Sequence, residues 1–164
     1  MSQEKRLRRL ISAALMAALI FLTTAYVLHI PVGAGYVHLG DAAIYVAAVL
    51  LPDGYALAAA VMGATLADLL TGAAVWAIPT AVVKAAMTLP FTARGERLLC
   101  RRNRIAPLIA GGINVVGYAV ADWLIFGSVP AALTAAVPNG LQSAVAAAAF
   151  YGLAAALERT ALRR

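Results

Sequence analysis

DAAIYVAAVLLPDG, residues 41–54, decides how many times this chain turns. From Asp41 to Leu51 it is apolar after the leading carboxylate, and Pro52-Asp53-Gly54 is a strong turn signal. As a helix this run reaches on the order of 18 Å, well short of a hydrocarbon core of about 30 Å. Upstream, Pro31-Val32-Gly33-Ala34-Gly35 separates it from the longer apolar run Leu10–Ile30, which fits a first membrane span. The breakers at Pro31 and Pro52 argue against one long span through this region. Downstream, apolar runs cover Tyr55–Thr71, Trp76–Thr92, Ile105–Phe126 and Asn139–Leu157, with Ser128–Pro138 read as a loop. The expectation is an all-α integral membrane protein, a bundle of six transmembrane helices whose second helix is short.

Composition supports a membrane protein. Of 164 residues, 63% are apolar and 12% charged, and the mean hydropathy is +0.87. A soluble domain carries about 25% charged residues. This excludes an ordinary cytosolic enzyme, a disordered chain and a disulfide scaffold; the single cysteine, Cys100, has no partner in the chain and reads as a passive thiol. The length suits one helical domain over residues 10–158, between a basic N-terminus (1–9) and a basic tail (159–164). The first apolar run is longer than the ~7–15 residues of a signal peptide core.

Charge placement tests the count. The 13 Lys and Arg residues fall into three clusters and one outlier: Lys5, Arg6, Arg8 and Arg9; Arg94, Arg97, Arg101, Arg102 and Arg104; Arg159, Arg163 and Arg164; and Lys84 inside a span. If basic segments are cytoplasmic, an even number of crossings must separate them. Four spans before residue 94 and two after it satisfy this, with both termini cytoplasmic. Topology thus accounts for the net charge of +6, and the basic loop lacks the interleaved aromatics of a nucleic-acid surface.

Ionisable groups within a membrane are expensive, and mark paired or functional positions. Here they are Asp41, Asp68, Lys84 and Asp122. In this topology Asp41, Asp68 and Asp122 lie near the outer ends of their helices, as do Asn139 and Gln142, and Lys84 lies nearer mid-depth. Trp76, Thr80 and Lys84 share one helix face at i, i+4, i+8 spacing, as do Asn114, Tyr118 and Asp122. Asn139, Gln142 and Ser143 share the first turn of the last helix, and the first loop adds Tyr36 and His38. Aromatic walls with a few placed polar groups describe a ligand pocket, here opening outward. Simpler readings stand beside this one. Asp68 and Lys84 sit on adjacent helices and can neutralise each other; Asp41 and Asn139 can be N-caps; Trp76 can be an interfacial belt residue. His29 and His38 lack the Cys or carboxylate company of a metal site, so no metal and no cofactor is expected.

Small residues recur at helix spacing. Ala13/Ala17 and Ala14/Ala18 are overlapping pairs in the first helix, Ala59, Gly63 and Ala67 lie in the third, and Ala144–Ala149 is almost all alanine. Such faces allow close helix approach. No P-loop occurs, so the chain is not expected to hydrolyse nucleotide by itself with one, and no H-E-x-x-H or G-x-S-x-G motif is present.

Gly35-Tyr36-Val37-His38-Leu39-Gly40-Asp41-Ala42-Ala43-Ile44-Tyr45, Ala67-Asp68-Leu69-Leu70-Thr71-Gly72, Trp76-Ala77-Ile78-Pro79-Thr80 and Val83-Lys84-Ala85 together resemble the S components of energy-coupling factor (ECF) vitamin transporters, nearest to the riboflavin-type group. The resemblance covers roughly residues 8–158. It implies a subunit that binds a vitamin from outside, topples in the bilayer and works with a transmembrane coupling subunit and two cytoplasmic ATPases. It implies docking through Ala13, Ala14, Ala17 and Ala18, a gate at Gly33–Gly40, and a binding pocket among Tyr36, His38, Asp41, Trp76, Thr80, Lys84, Tyr118, Asp122, Asn139 and Gln142. A flat heteroaromatic such as riboflavin, a pyridoxine-like ring, a pterin or a pyrimidine suits the aromatic residues. Two other readings are an autonomous small transporter that uses Asp68 and Asp122 for ion coupling, and a membrane enzyme acting on lipid head groups, for which the polar groups sit at the wrong end.

Overall fold

The apolar runs form six α-helices among the described residues, and a short hairpin joins the first two. The computed structural model describes residues 3–27, 30–32, 35–94 and 97–161. In chain order the elements are α1 (Gln3–Ala25), β1 (Ile30–Val32), β2 (Gly35–Val37), α2 (Gly40–Leu50), α3 (Asp53–Leu70), a 3-10 turn (Ala74–Trp76), α4 (Ala77–Thr88), α5 (Arg101–Phe126) and α6 (Val129–Ala161). Strands β1 and β2 pair antiparallel, with Pro31 opposite Tyr36.

The short second helix is the centre of the bundle. Every residue of α2 is buried except Leu50. A helix apolar on all sides is stable only when enclosed, and α1, α3, α4 and α6 pack around it. Tyr45 of α2 stacks on Phe91 at 4.9 Å and meets Phe150 edge-on at 6.0 Å. The outer helices show the reverse pattern. Leu15 and Leu22 on α1, Met62 and Leu69 on α3, Leu108 and Leu124 on α5, and Leu133 and Leu153 on α6 are all exposed. An apolar rim of this kind requires lipid as solvent. Four of the helices (α1, α3, α5 and α6) are long and apolar enough to cross a membrane; α2 and α4 are shorter.

Helix α1 lies against α3 through its small residues. Ala13, Ile20 and Thr24 are buried along one stripe. A side chain at Gly63 would stand 2.5 Å from the Ala17 carbonyl oxygen and 2.8 Å from the Ile20 Cβ. Glycine is therefore what lets the two backbones touch. Ala14 and Ala18, about 100° round the helix, lie on an exposed side of α1.

Polar contacts tie the ends of α3–α6 together at the end that carries the basic loop. Arg94 pairs with Asp53 at 3.7 Å, and Arg102 donates to the carbonyls of Leu89 and Pro90, just past the end of α4 (2.8 and 2.7 Å). The Leu99 N–H donates to Glu158 Oε1. Buried Asn103 ties Thr92 to Leu98: it accepts from the Thr92 N–H and donates to the Thr92 and Leu98 carbonyls.

Several expected boundaries are corrected. Helix α1 ends at Ala25 rather than Ile30, and Ile30 begins the hairpin. Helix α5 starts at Arg101, inside the basic loop, not at Ile105. The largest change is in the last helix, which starts at Val129 and absorbs the expected loop at 128–138. Two local signals explain this. Gly127 has φ +64 and its N–H closes on the Trp123 carbonyl, a left-handed C-cap that ends α5. Ser128 then accepts from the Ala131 N–H through Oγ, an N-cap, and Pro130 stands in the first turn, where its missing N–H is harmless. Pro138 lies inside α6, a position tolerated in membrane helices when neighbours re-satisfy the backbone. Asn139 is consequently no cap; its Nδ2 donates to the Ala135 carbonyl.

Candidate ligand-binding site

A cavity of about 150 Å³ opens at the end of the bundle away from the basic loop. Thr24, His38, Ala64, Asp68, Trp76, Thr80, Lys84, Tyr118, Asp122, Ala135, Pro138, Asn139 and Gln142 line it. Helical periodicity puts them there. Trp76, Thr80 and Lys84 descend one face of the turn leading into α4, and Asn114, Tyr118 and Asp122 descend the facing side of α5.

The base of the cavity is a buried ion pair. Lys84 Nζ donates to Asp41 Oδ1 at 2.7 Å and to Asn114 Oδ1 at 2.9 Å. Gln142 Nε2 donates to Asp41 Oδ2 at 2.8 Å, so both carboxylate oxygens are satisfied. The side chains of Lys84 and Asp41 are only 3% and 0% exposed. Asn114 Nδ2 donates to Ser143 Oγ, which in turn donates to the Asn139 carbonyl. A charge pair this deep survives only with such hydrogen bonding. Asp41 is thus in the first turn of α2 as the partner of Lys84; Leu39 occupies the N-cap position, with no side-chain cap hydrogen bond.

The expected Asp68–Lys84 pair is not formed. The Lys84 ammonium gives its ion pair to Asp41, and Asp68 Oδ2 is buried without a hydrogen-bond partner. Lys84 and the Thr80 hydroxyl face the Asp68 carboxylate from nearby. Asp122, also on the wall, makes no ion pair or hydrogen bond among the described residues. Thr80 and Tyr118 share a hydroxyl hydrogen bond of 2.8 Å. The Lys84 ammonium lies 5.1 Å from the centre of the Tyr118 ring, within cation–π range. Trp76 meets Tyr118 edge-on at 6.1 Å and tilts against Phe126 at 5.9 Å. His38 accepts the Gly40 N–H at Nδ1.

Of the residues singled out in the sequence, His38, Trp76, Thr80, Lys84, Tyr118, Asp122, Asn139 and Gln142 line the cavity, and Asp41 lies beneath it. Tyr36 is on β2, and its side chain lies outside the described residues, as do Gly33 and Ala34 of the first loop, His29, and Arg163 and Arg164 of the tail. Sequence reasoning did not single out Thr24, Ala64, Ala135 or Pro138. Thr24 was findable: it continues the buried stripe of Ala13, Ala17 and Ile20 at helical spacing. Ala135 and Pro138 were hidden by reading their segment as a loop. No group of three or more His, Cys, Asp or Glu residues suited to a metal exists among the described residues.

The chain matches the family model described as ECF-type riboflavin transporter, S component, over residues 5–159. It belongs to that family. The match spans all six helices. No curated protein matches it at the significance required. This S component is therefore a membrane-embedded, substrate-binding subunit of a vitamin-uptake transporter. Its family is one of transporter subunits, not of enzymes.

Proposed function

We propose that this S component captures a flat heteroaromatic vitamin or vitamin precursor from outside the cell and passes it inward with a shared ATP-driven module. The cavity carries this reading: an aromatic wall of Trp76 and Tyr118 above a fixed polar floor, at the end away from the basic segments. On the positive-inside rule that end faces outward and both termini are cytoplasmic, in the cell membrane. Candidate ligands are riboflavin, a pyridoxine-like ring, a pterin or a pyrimidine. The partners are a transmembrane coupling subunit and two cytoplasmic ATPases, which supply the hydrolysis that this chain has no motif for.

Mass spectrometry of small molecules released from the purified, detergent-solubilised chain tests the reading, followed by titration with a vitamin panel. A stoichiometric vitamin, or binding tighter than about 1 µM (roughly −8 kcal/mol), is the expected result. No binding, together with vitamin flux into liposomes holding this chain alone, would instead favour an autonomous transporter coupled through Asp68 and Asp122.

We further propose that the coupling subunit docks on the exposed Ala14/Ala18 side of α1, because the Ala13/Ala17 side is already occupied by α3. Leucine at both Ala14 and Ala18 is expected to abolish co-purification with the coupling subunit while vitamin affinity changes by less than about twofold. Loss of both properties would assign that side of α1 to folding.

A further inference from the structure

The cavity holds more carboxyl groups than its ion pair uses. Lys84 is the one lysine or arginine among the described lining residues, and its ion pair is with Asp41. Asp68 and Asp122 remain on the wall and form no ion pair within 4 Å among the described residues, although Lys84 and Thr80 lie near Asp68. Asp68 is only 7% exposed, with Oδ2 partnerless. His38 accepts the Gly40 N–H at Nδ1, and the arginines gather at the opposite end of the bundle. Carboxylates left thus in a low-dielectric site are costly until a cation or a strong donor meets them.

We propose that the ligand is a small organic cation: one flat ring bearing a protonated amine or comparable cationic donor. Its positive group meets Asp68 and Asp122, and its ring lies against Trp76 and Tyr118. This rests on the reading of the cavity as the vitamin site. Ring size follows from volume, since a cavity of about 150 Å³ is the size of an engineered one that holds a single benzene. A metal ion is the poorer occupant, because no three-ligand cluster exists among the described residues and aromatic walls favour an organic cation. The third Lys84 donor, beyond the two given to Asp41 and Asn114, remains for an acceptor on the same ring.

The test is a matched comparison on the purified, ligand-stripped chain. Pyridoxamine and pyridoxine differ by an ammonium in place of a hydroxyl; aminomethyl- and hydroxymethyl-pyrimidine form a second pair; riboflavin is the neutral three-ring reference. In at least one pair the amine is expected to bind about tenfold or more tighter than its hydroxyl isostere, as for a charge-assisted hydrogen bond. Asp68→Asn and Asp122→Asn should each bring that ratio toward unity. The ratio is read first on the unaltered chain, so the test does not depend on either variant folding. Hydroxyl isosteres binding as tightly as the amines, or riboflavin binding more tightly than any amine, would overturn the cation proposal and leave the vitamin-capture reading intact. Failure of every probe, riboflavin included, overturns both.

Discussion

Replacing Lys84 by Met is expected to destabilise the folded chain by about 3–5 kcal/mol, the usual effect of stranding one half of a buried ion pair. Asp41 is fully buried, and without the ammonium its carboxylate keeps the hydrogen bond from the Gln142 amide but loses its ion pair. Asn114 loses the donor to its Oδ1 as well. The loss should appear as a lowered midpoint of unfolding in mixed detergent micelles. The double replacement Asp41→Asn, Lys84→Met should recover much of it, since two neutral groups of similar shape carry no stranded charge. A Lys84→Met chain as stable as the parent would show that the pair does not hold α2 to α4. Binding measurements on the double variant then separate the two roles of Lys84: stability restored with affinity lost assigns the ammonium to the ligand too.

Gly63→Val is expected to cost about 3 kcal/mol, the upper part of the range for overpacking. The nearest obstacle is the Ala17 carbonyl oxygen, 2.5 Å from the position of an added Cβ. Backbone cannot rotate away as a side chain can, so α1 must move off α3. Because Thr24 and Ala64, from these same two helices, line the cavity, ligand affinity should fall together with stability. Equilibrium unfolding and a binding isotherm on one preparation check both. A glycine-to-valine change at exposed Gly152, where an added Cβ meets nothing within 4 Å, is the control; its cost should stay near that of a surface substitution, within about 0.5 kcal/mol. Equal effects at the two sites would mean that the close approach of α1 and α3 is unimportant.

Most spans and the location of the polar site were legible because they depend on local quantities. Hydropathy marks a helix that lipid can solvate, and the i, i+4, i+8 spacing places Trp76, Thr80 and Lys84 on one face whatever lies opposite. The turn at Pro52-Asp53-Gly54 isolates a short α2, and α2 is short. The start of α6 was misread although its signals are local. Gly127 and Ser128 carry the cap chemistry, but Pro130 and Pro138 suggested a break. In this bundle the first stands where its N–H is not needed, and the second is accommodated within the helix.

Partner choice is what local pattern does not carry. Asp41 and Asp68 each sit on a helix able to reach Lys84, and chain proximity favours Asp68, on the neighbouring helix of a hairpin. The packing of α2 in the centre of the bundle reverses that, bringing Asp41 to Lys84 across 43 residues and Gln142 to Asp41 across 101. The same packing separates the two alanine pairs of α1, which look equivalent as a repeat: Gly63 draws the Ala13/Ala17 side onto α3, and Ala14/Ala18 is left outside. Composition and periodicity therefore determined by themselves that this chain is a helical membrane bundle with its polar groups gathered toward one end. Which carboxylate pairs with the lysine, and which two lie on the cavity wall outside that pair, was decided only by the tertiary structure, because an ion pair requires contact within a few ångströms, and only the packing of all six helices sets those distances.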